Sequence, residues 1–243
     1  MVFETGQSVP SGGILPGLNV WRSRSPQLAL EAARRPVVFL RRFANRLRQS
    51  RYYGNQVEHD RRILVDGYQV PRSGLQVYEV GSVNDPEARA VISKLAPALI
   101  YVFGTRLVSA ETLRALKAPF ANMHWGWSPE YRGEGIVSAL ALEGPQALGV
   151  TVHLLDAGID SGDVLFQARP EVDRFDNFYS IGLKLTLLGV HGFVAAWRTL
   201  IAHGALRGEK QDLGRGRAYD SRFMRDHPEL FPRALRRLRS AQG

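Results

Sequence analysis

The sequence contains no cysteine, which excludes a disulfide framework, thiolate metal ligands and a cysteine nucleophile. It also lacks an apolar N-terminal stretch followed by a small-residue cleavage site, and it has no uninterrupted apolar run of about eighteen residues or more. The most apolar stretch, residues 181–197, is interrupted by Lys184 and His191, so we predict a buried helix there and no membrane span. These absences favour a cytoplasmic location.

Lysine is scarce as well, since only four of the 32 basic residues are lysines, a bias more often genomic than functional. The net charge of +9 is uneven: residues 1–72 carry +7, residues 73–204 carry −3 and residues 205–243 carry +5. The basic ends suggest an RNA-binding module as one alternative. Neither end contains a recognised RNA motif or interleaved aromatic residues, so nucleic acid is not the expected partner.

A chain of 243 residues with 44% hydrophobic content can bury one sizeable core with appendages. We predict an Arg-rich helical region at 1–72, with helices near 29–33 and 37–47, then a catalytic domain at 73–204 and a basic tail at 205–243. In the middle region, β-rich runs alternate with helical segments. Strands are predicted at 75–80, 98–103, 120–125, 149–155 and 164–172, and helices at 86–95, 109–116, 181–202 and 232–239. This alternation favours an α/β fold with a mostly parallel sheet.

Two blocks of sequence carry candidate chemistry. Side chains alternate along a strand, so Asn122 and His124 project to the same face. Asp160 follows another predicted strand and could approach His124 from a neighbouring strand end. An amide to polarise a carbonyl, an imidazole to move a proton and a carboxylate to orient it would serve acyl transfer to an amine. The alternative is a structural histidine at a strand end and an aspartate that only forms a turn.

The same blocks resemble the folate-dependent formyltransferase family, which includes the glycinamide ribonucleotide, methionyl-tRNA and sugar N-formyltransferases. The resemblance is carried by the N-x-H of Asn122 and His124, by S-P-x-Y-R-G at 128–133, by G-V-T-V-H at 149–153 and by I-D-S-G-D at 159–163. It extends over roughly residues 76–200. Because the D-N-F-Y at 176–179 precedes an apolar helix, the sequence most resembles the amino-sugar branch.

This resemblance implies a Rossmann-like formyltransferase fold, with Asn122, His124 and Asp160 as catalytic residues and 10-formyltetrahydrofolate as formyl donor. It implies no metal. Two loops would hold the pteridine ring. They contain Thr105, Arg106, Leu107 and Val108 on one side and Asp156, Ala157 and Gly158 on the other.

The expected acceptor is the amine of a small molecule, an amino sugar or a compound derived from an amino acid. Trp125, Trp127, Tyr131 and Arg132 are the candidate acceptor-binding residues. The two indoles could instead fill the core, and residues 131–133 could be a plain surface loop. His153 is interpreted as structural. A homodimer remains an option for the assembly.

The sequence also departs from the family. Residues 1–36 contain no convincing first strand, which predicts a fold that lacks the usual first βα unit. Two other enzymatic readings therefore stay open. One is a formyltetrahydrofolate hydrolase, in which water replaces the amine. The other is a repurposed enzyme that acts on another acyl or carbonyl substrate without folate.

Overall fold

The computed structural model describes residues 2–4 and 76–240. The helices predicted near 29–33 and 37–47 lie outside these residues, and the three-part division of the chain stays a prediction. In the first half of the fold, strands and helices alternate as the sequence predicts. The elements are β1 (Val2–Glu4), β2 (Tyr78–Val80), α1 (Pro86–Leu95), β3 (Ile100–Val102), α2 (Ala110–Ala115) and β4 (Phe120–His124).

The N-termini of α1 and α2 follow from local sequence. Proline occupies the first turn of α1, where its missing N–H costs no hydrogen bond. The Ser109 hydroxyl accepts a hydrogen bond from the Thr112 amide at 3.1 Å and so caps α2, as predicted. These helices return the chain between strands, which allows β3 and β4 to lie parallel.

Strand β1 contradicts one expectation. Val2–Glu4 pairs in parallel with β2, so a short first strand is present within residues 1–36. Three residues are too few to give a recognisable periodicity, which explains why the sequence did not reveal it.

The second half of the fold adds elements that the sequence did not predict, namely β5, α3, β8 and α5. Its elements are β5 (Tyr131–Gly133), α3 (Gly135–Leu142), β6 (Val150–Leu154), β7 (Val164–Ala168), α4 (Phe178–His203), β8 (Arg217–Tyr219), α5 (Ser221–Asp226) and α6 (Leu230–Ser240). Two short 3₁₀ turns, Pro145–Ala147 and Leu213–Arg215, lie between them.

The central sheet has the order β3-β4-β6-β7 and is mixed. Strands β3 and β4 are parallel, but β4 with β6 and β6 with β7 are antiparallel, which differs from the mostly parallel sheet expected here. The reason lies in the connection. Residues 155–163 contain no helix, and a parallel crossover needs a dozen residues or more, so β6 and β7 can only form an antiparallel pair.

Helix α4 covers one face of this sheet. Its N-terminus is a capping box, because Asn177 accepts from the Ser180 amide while the Ser180 hydroxyl accepts from the Asn177 amide. Glycines on its inner side allow close approach, since a Cβ at Gly189 would meet Met123 at 2.6 Å and one at Gly192 would meet Phe166 at 2.6 Å. The helix therefore lies flat on strands β4, β6 and β7.

The outer side of α4 is also apolar, which the expectation of a buried helix missed. Five side chains spaced three and four residues apart are exposed: Leu187, Val190, Val194, Trp197 and Ile201. By length and composition alone α4 could cross a membrane, and 22% of its most apolar window is buried. Its inner side is nevertheless occupied by the sheet, as in a helix that belongs to a folded layer.

The segment after α4 returns to strand β5 and helix α3. Strand β8 pairs in parallel with β5, and α6 packs on α3. Helix α6 buries Leu230, Phe231, Ala234 and Leu238 on one side, and most of its arginines are exposed. Residues from the basic tail thus hold β5 in place beside the central sheet.

Candidate active site

Strand β4 presents Asn122 and His124 from the same face, as alternation requires. The intervening Met123 faces α4, where its sulfur lies 2.6 Å from the Cβ position of Gly189. His124 is only 6% exposed, at the carboxyl end of the strand. The amide and the imidazole are therefore neighbours on the side of the sheet away from α4.

Asp160 joins them from the loop between β6 and β7. Its Oδ2 lies 3.2 Å from His124 Nδ1, and its Oδ1 accepts a hydrogen bond from Asn122 Nδ2 at 3.2 Å. The Asp160 backbone has φ +47°, a left-handed conformation that aspartate tolerates better than most residues. The structure therefore brings together the three side chains that the sequence predicts as catalytic.

Strand β5 lines this cluster with its backbone. The amide of Gly133 donates to Asp160 Oδ2 at 2.9 Å, and His124 Nε2 lies 2.7 Å from the carbonyl oxygen of Tyr131. The opposite edge of β5 pairs with β8, where the Glu134 amide donates to the Tyr219 carbonyl at 2.9 Å. One edge of this three-residue strand thus holds the tail, and the other holds the imidazole and the carboxylate.

His153 is a fourth member of the cluster, and the sequence did not assign it to the site. It lies directly across from Asn122 in the antiparallel pair of β4 and β6 and is fully buried. Its Nε2 lies 3.2 Å from Asn122 Nδ2 and 3.3 Å from Asp160 Oδ1. The signal was available only through strand register, because cross-strand partners share a face.

Hydrogen bonding fixes how the Asn122 amide is used. His153 Nδ1 donates to the Leu154 carbonyl at 2.8 Å, which fixes its ring beside Asn122. One amide hydrogen of Asn122 is donated to Asp160 Oδ1 at 3.2 Å. The second amide hydrogen is then left for a substrate oxygen.

Charge in the cluster is concentrated on Asp160. Burial alone would raise the pKa of its carboxyl, but the charge of His124, the contacts with His153 and the Gly133 amide together lower the pKa to about 2. Burial lowers the pKa of His124, and Asp160 and the Tyr131 carbonyl offset this only in part. At neutral pH, Asp160 is therefore an anion beside an imidazole that can accept a proton.

A proton gained by His124 would be well accommodated. Both of its ring nitrogens face acceptors, namely the Asp160 carboxylate and the Tyr131 carbonyl. A neutral imidazole has one N–H and can satisfy only one of them, whereas the imidazolium satisfies both. The surrounding structure is thus arranged to stabilise the charged form when it arises.

Gly126 makes this packing possible. A Cβ at this position would lie 2.1 Å from His124 Nε2 and 2.2 Å from the Tyr131 carbonyl oxygen. Any side chain would therefore separate the imidazole from β5. Gly135 has a similar role nearby, because its Cβ would lie 2.2 Å from the Trp125 carbonyl oxygen.

The two predicted pteridine loops meet the same part of the core. Val108 and Leu155 both pack against a buried cluster that includes Val102 and Phe120. The first loop is fixed by Asn84, which donates to the Leu107 carbonyl at 2.9 Å and accepts from the Ser109 amide at 2.7 Å.

The side chains that these loops display suit a flat ring with polar edges. Leu107 and the neighbouring Phe103 are exposed apolar surfaces. In the second loop, Asp156 Oδ1 accepts from the Gly158 amide at 2.9 Å and from the Ser161 hydroxyl at 2.7 Å. Exposed apolar surface of this kind is common in small-molecule sites, and binding of a pterin here stays a prediction.

The two tryptophans that the sequence predicts as acceptor-binding residues each pack against a glycine and one other side chain. Trp125 alternates with His124, and its indole lies against the Cβ position of Gly182 at 3.2 Å and against the Phe103 ring at 5.4 Å between centroids. Trp127 lies under the Arg169 guanidinium, 3.9 Å from its ring centroid, and against Gly149. Both indoles are half-buried, and Trp125 Nε1 is buried without a hydrogen-bond partner among the described residues, so an acceptor-binding role for these tryptophans stays a prediction.

Tyr131 and Arg132 differ from each other. Tyr131 is buried, stacks on Tyr219 and donates its hydroxyl to Glu143, and burial raises the pKa of that hydroxyl. The surface-loop alternative for residues 131–133 is therefore wrong, because they form β5. Arg132 is half-buried, and its Nε is buried without a hydrogen-bond partner among the described residues.

The stretch that suggested the amino-sugar branch has a structural explanation. Asp176 accepts from the Ser180 hydroxyl and from Lys184 Nζ, each at 2.7 Å, and Asn177 caps α4. These contacts fasten the start of the long helix. Across residues 2–4 and 76–240, no group of three His, Asp or Glu side chains is arranged to hold a metal ion.

The fold and its cluster define an α/β protein with an amide, an imidazole and a carboxylate at a strand end. The Formyl transferase family matches residues 46–197, more than half of the chain. The chain therefore belongs to the formyltransferase family, as the sequence motifs predict.

Comparisons with individual proteins agree with this assignment. The chain is 29% identical over 139 residues to a methionyl-tRNA formyltransferase of Chlorobium luteolum, covering 57% of this chain and 44% of the relative. It is 32% identical over 140 residues to that of Anaeromyxobacter dehalogenans, covering 57% and 45%. The chain thus spans less than half the length of these curated relatives.

Solved structures share the fold. A sugar N-formyltransferase from Shewanella sp FDAARGOS_354 aligns with TM-score 0.51 and 18% identity, covering 71% of this chain and 73% of that one. The formyltransferase PseJ from Anoxybacillus kamchatkensis, solved with UDP-4,6-dideoxy-4-formamido-L-AltNAc and tetrahydrofolate, aligns with TM-score 0.50 and 21% identity, covering 63% and 78%. The expected formyltransferase fold is confirmed.

Proposed function

We propose that this protein transfers a formyl group from 10-formyltetrahydrofolate to the amine of a small acceptor. The observation that carries the proposal is the contact of Asn122, His124 and Asp160 with one another, at the edge of β5 that does not pair with β8. Membership in the formyltransferase family supports the reaction class. PseJ, a fold relative, was solved with tetrahydrofolate and a formamido sugar, which supports the donor and the kind of acceptor.

Asn122 polarises the formyl group. Its second amide hydrogen donates to the formyl oxygen, which gains negative charge as the amine attacks. Donors of this kind contribute about 3 to 4 kcal/mol to a transition state in a buried site. Asn122 suits the role because His153 and Asp160 fix its other amide hydrogen and hence the plane of the amide.

His124 accepts the proton that the amine loses and returns it to N10 of the folate, which leaves as tetrahydrofolate when the bond between N10 and the formyl carbon breaks. Its lowered pKa leaves it neutral and able to take a proton at neutral pH. Asp160, with a pKa of about 2, is too weak a base to keep that proton. Its role is to orient the imidazole and to stabilise the imidazolium, and also to attract an incoming ammonium.

The loops at 105–108 and 156–158 hold the donor. In this proposal Thr105, Arg106, Leu107 and Val108 form one side of the pterin slot, and Asp156, Ala157 and Gly158 form the other. The 10-formyl group supplies the carbon that is transferred. The residues of the chain bind and orient the ring and exclude water from the carbon.

Arg132 is the proposed acceptor contact with the best structural support. Its half-buried side chain follows Tyr131, whose carbonyl faces His124, and it forms none of the ion pairs found among the described residues. Tyr131, by contrast, supports the site through its backbone. The acceptor is proposed as a small amine, an amino sugar or an amino-acid derivative.

The test is a spectroscopic assay of tetrahydrofolate release from 10-formyltetrahydrofolate with a panel of amines, coupled to mass spectrometry for formylated products. Asn122→Ala, His124→Ala and Asp160→Ala should each abolish most of the release, and His203→Ala, an exposed histidine at the end of α4, should not. Release without any amine would favour the hydrolase. Absence of folate binding and of release with every amine would refute the proposal.

A further inference from the structure

The segment that follows α4 runs along the loop that carries Asp160. Glu209 forms an isolated antiparallel bridge with Val164, with N–O distances of 2.7 and 2.8 Å. Just before it, Gly208 passes so close that a Cβ would lie 2.6 Å from the Asp163 side chain. Residues 208–211 are thus pressed against the end of the catalytic loop.

Gln211 fastens that loop from outside the cluster. Its Nε2 donates to the Asp160 carbonyl at 3.0 Å and to the Gly162 carbonyl at 2.6 Å. The amide orientation is determined by these two acceptors, because the oxygen of Gln211 would face two carbonyl oxygens if the amide were turned over. One side chain therefore ties together two carbonyls on either side of Ser161.

The Asp160 backbone needs such a restraint. Its φ of +47° places a non-glycine residue in the left-handed region, a backbone conformation that persists only where the surroundings hold it. This backbone conformation directs the carboxylate towards the Gly133 amide and His124. A change of conformation at Asp160 would turn the carboxylate away from both.

The same segment then continues into β8, which pairs with β5. A Cβ at Gly216 would lie 2.1 Å from the Pro129 carbonyl oxygen, and one at Gly133 would lie 2.6 Å from the Tyr219 carbonyl oxygen. The two strands are therefore closely packed. Residues 208–219 thus contact the two segments that hold His124 and Asp160: Gln211 contacts the Asp160 loop, and β8 pairs with β5.

We propose that Gln211 is a positioning residue for the active site: by holding the Asp160 and Gly162 carbonyls it keeps the Asp160 carboxylate in contact with Gly133 and His124. Gln211 contacts only backbone oxygens of the loop and acts through Asp160. Its effect on turnover rests on the proposed formyl transfer, whereas its effect on the Asp160–His124 contact can be measured without substrate.

The variants are Gln211→Met, which keeps the length and removes both donors, and Gln211→Glu, which replaces them with a carboxylate facing two carbonyls. The matched controls are Gln146→Met and Gln146→Glu. Gln146 also donates its side-chain amide to a backbone carbonyl, that of Glu143 at 2.6 Å, but in an exposed turn. Far-UV circular dichroism and thermal unfolding establish that each variant is folded.

The first measurement is steady-state kinetics with an amine that the wild type formylates. Gln211→Met should lower kcat by about 10- to 100-fold, because small displacements of catalytic groups have effects of this size. KM for the folate should change less than about threefold, since Gln211 donates to residues 160 and 162 of the loop and not to residues 156–158. Gln211→Glu should be more impaired, and both Gln146 controls should match the wild type.

The second measurement is an NMR titration of the His124 ring in the protein alone. The titratable groups that face this ring are Asp160 and His153. Because the Asp160 carboxylate raises the pKa of His124, loosening it should move the His124 titration to lower pH in Gln211→Met and not in Gln146→Met. A merely structural glutamine would leave this titration unchanged.

The outcomes separate the two proposals. An unchanged His124 titration in folded Gln211→Met refutes the positioning role, whatever the kinetics. A second outcome is that the His124 titration shifts in Gln211→Met while the wild type releases no tetrahydrofolate with any amine. That result supports the positioning role and refutes the proposed function. Lower kcat in the Gln146 controls as well would also count against a specific role for Gln211.

Discussion

The two ends of strand β4 differ in both shape and chemistry. Near its amino end, at Pro119, lies an open groove of about 590 Å³, lined in part by Leu154, Trp197, Ile201 and Gly204. Every residue that lines this groove lacks a titratable group. At its carboxyl end, β5 packs against His124 and Asp160 and leaves little open space. The imidazole and the carboxylate contact each other there, and the imidazole also contacts the Tyr131 carbonyl.

This difference shows that an open groove and a cluster of reactive side chains can lie at different places in one molecule. An apolar groove offers surface area but no group that could move a proton or stabilise a charge. The cluster at the other end offers little open volume, but the pKa values of His124 and Asp160 are both lowered there, and perturbed pKa values are characteristic of functional sites. Activity should therefore depend on one end of β4 and tolerate change at the other.

The largest expected effect is on turnover. His124→Ala should lower kcat/KM for formyl transfer by about 1,000-fold, since it removes the proton acceptor, and such groups contribute 10²- to 10⁴-fold. Trp197→Ala, in the groove, should change kcat/KM less than about twofold. Steady-state assays of both purified variants test this expectation. A greater loss of activity in Trp197→Ala than in His124→Ala would contradict it.

A pair of glycines tests the same comparison through packing. Gly126→Ala would place a Cβ 2.1 Å from His124 Nε2, so either the imidazole or β5 must move, and we expect turnover to fall about 100-fold. Gly204→Ala meets no atom within 4 Å and has only its φ of +69° to overcome, which costs about 1 kcal/mol of stability. Its turnover should stay near that of the wild type, and a comparable loss in both variants would contradict the assignment.

The sequence identified much of this site because its signals are local. Alternation along β4 places Asn122 and His124 together. The loop of Asp160 was recognisable from its motif. Residues 155–163 are also too few for a parallel crossover, so the antiparallel turn was deducible from length.

Other features depend on distant pairing and left no local signal. Strand β5 has three residues and exists because β8 pairs with it after more than eighty intervening positions. His153 enters the cluster only through the register of β6 on β4. Gln211 meets the Asp160 loop through a contact 51 positions away in the chain. Long-range contacts of this kind cannot be read from periodicity or from turn residues.

The smallest effect we predict is on stability and concerns pH. The pKa of Asp160 falls from its ordinary value of 3.8 to about 2 in the folded protein. A group with a lowered pKa stabilises the fold above its unfolded value, and this contribution is lost as pH falls from 3.8 through about 2. At roughly 1.4 kcal/mol per pKa unit, the contribution is about 2 kcal/mol.

Asp160→Asn isolates this contribution, because asparagine also tolerates the left-handed backbone at this position. Urea denaturation gives the free energy of unfolding of the wild type and of Asp160→Asn. The difference between the two proteins should be about 2 kcal/mol larger at about pH 5 than at about pH 2, in favour of the wild type. Glu111→Gln, which alters an exposed carboxylate paired with Arg89, should show no such change in the same window. Replacing Asp160 should remove the part of the stability loss that falls between pH 3.8 and about 2, and an unchanged pH dependence in Asp160→Asn across this window would mean that the carboxylate is not held as described.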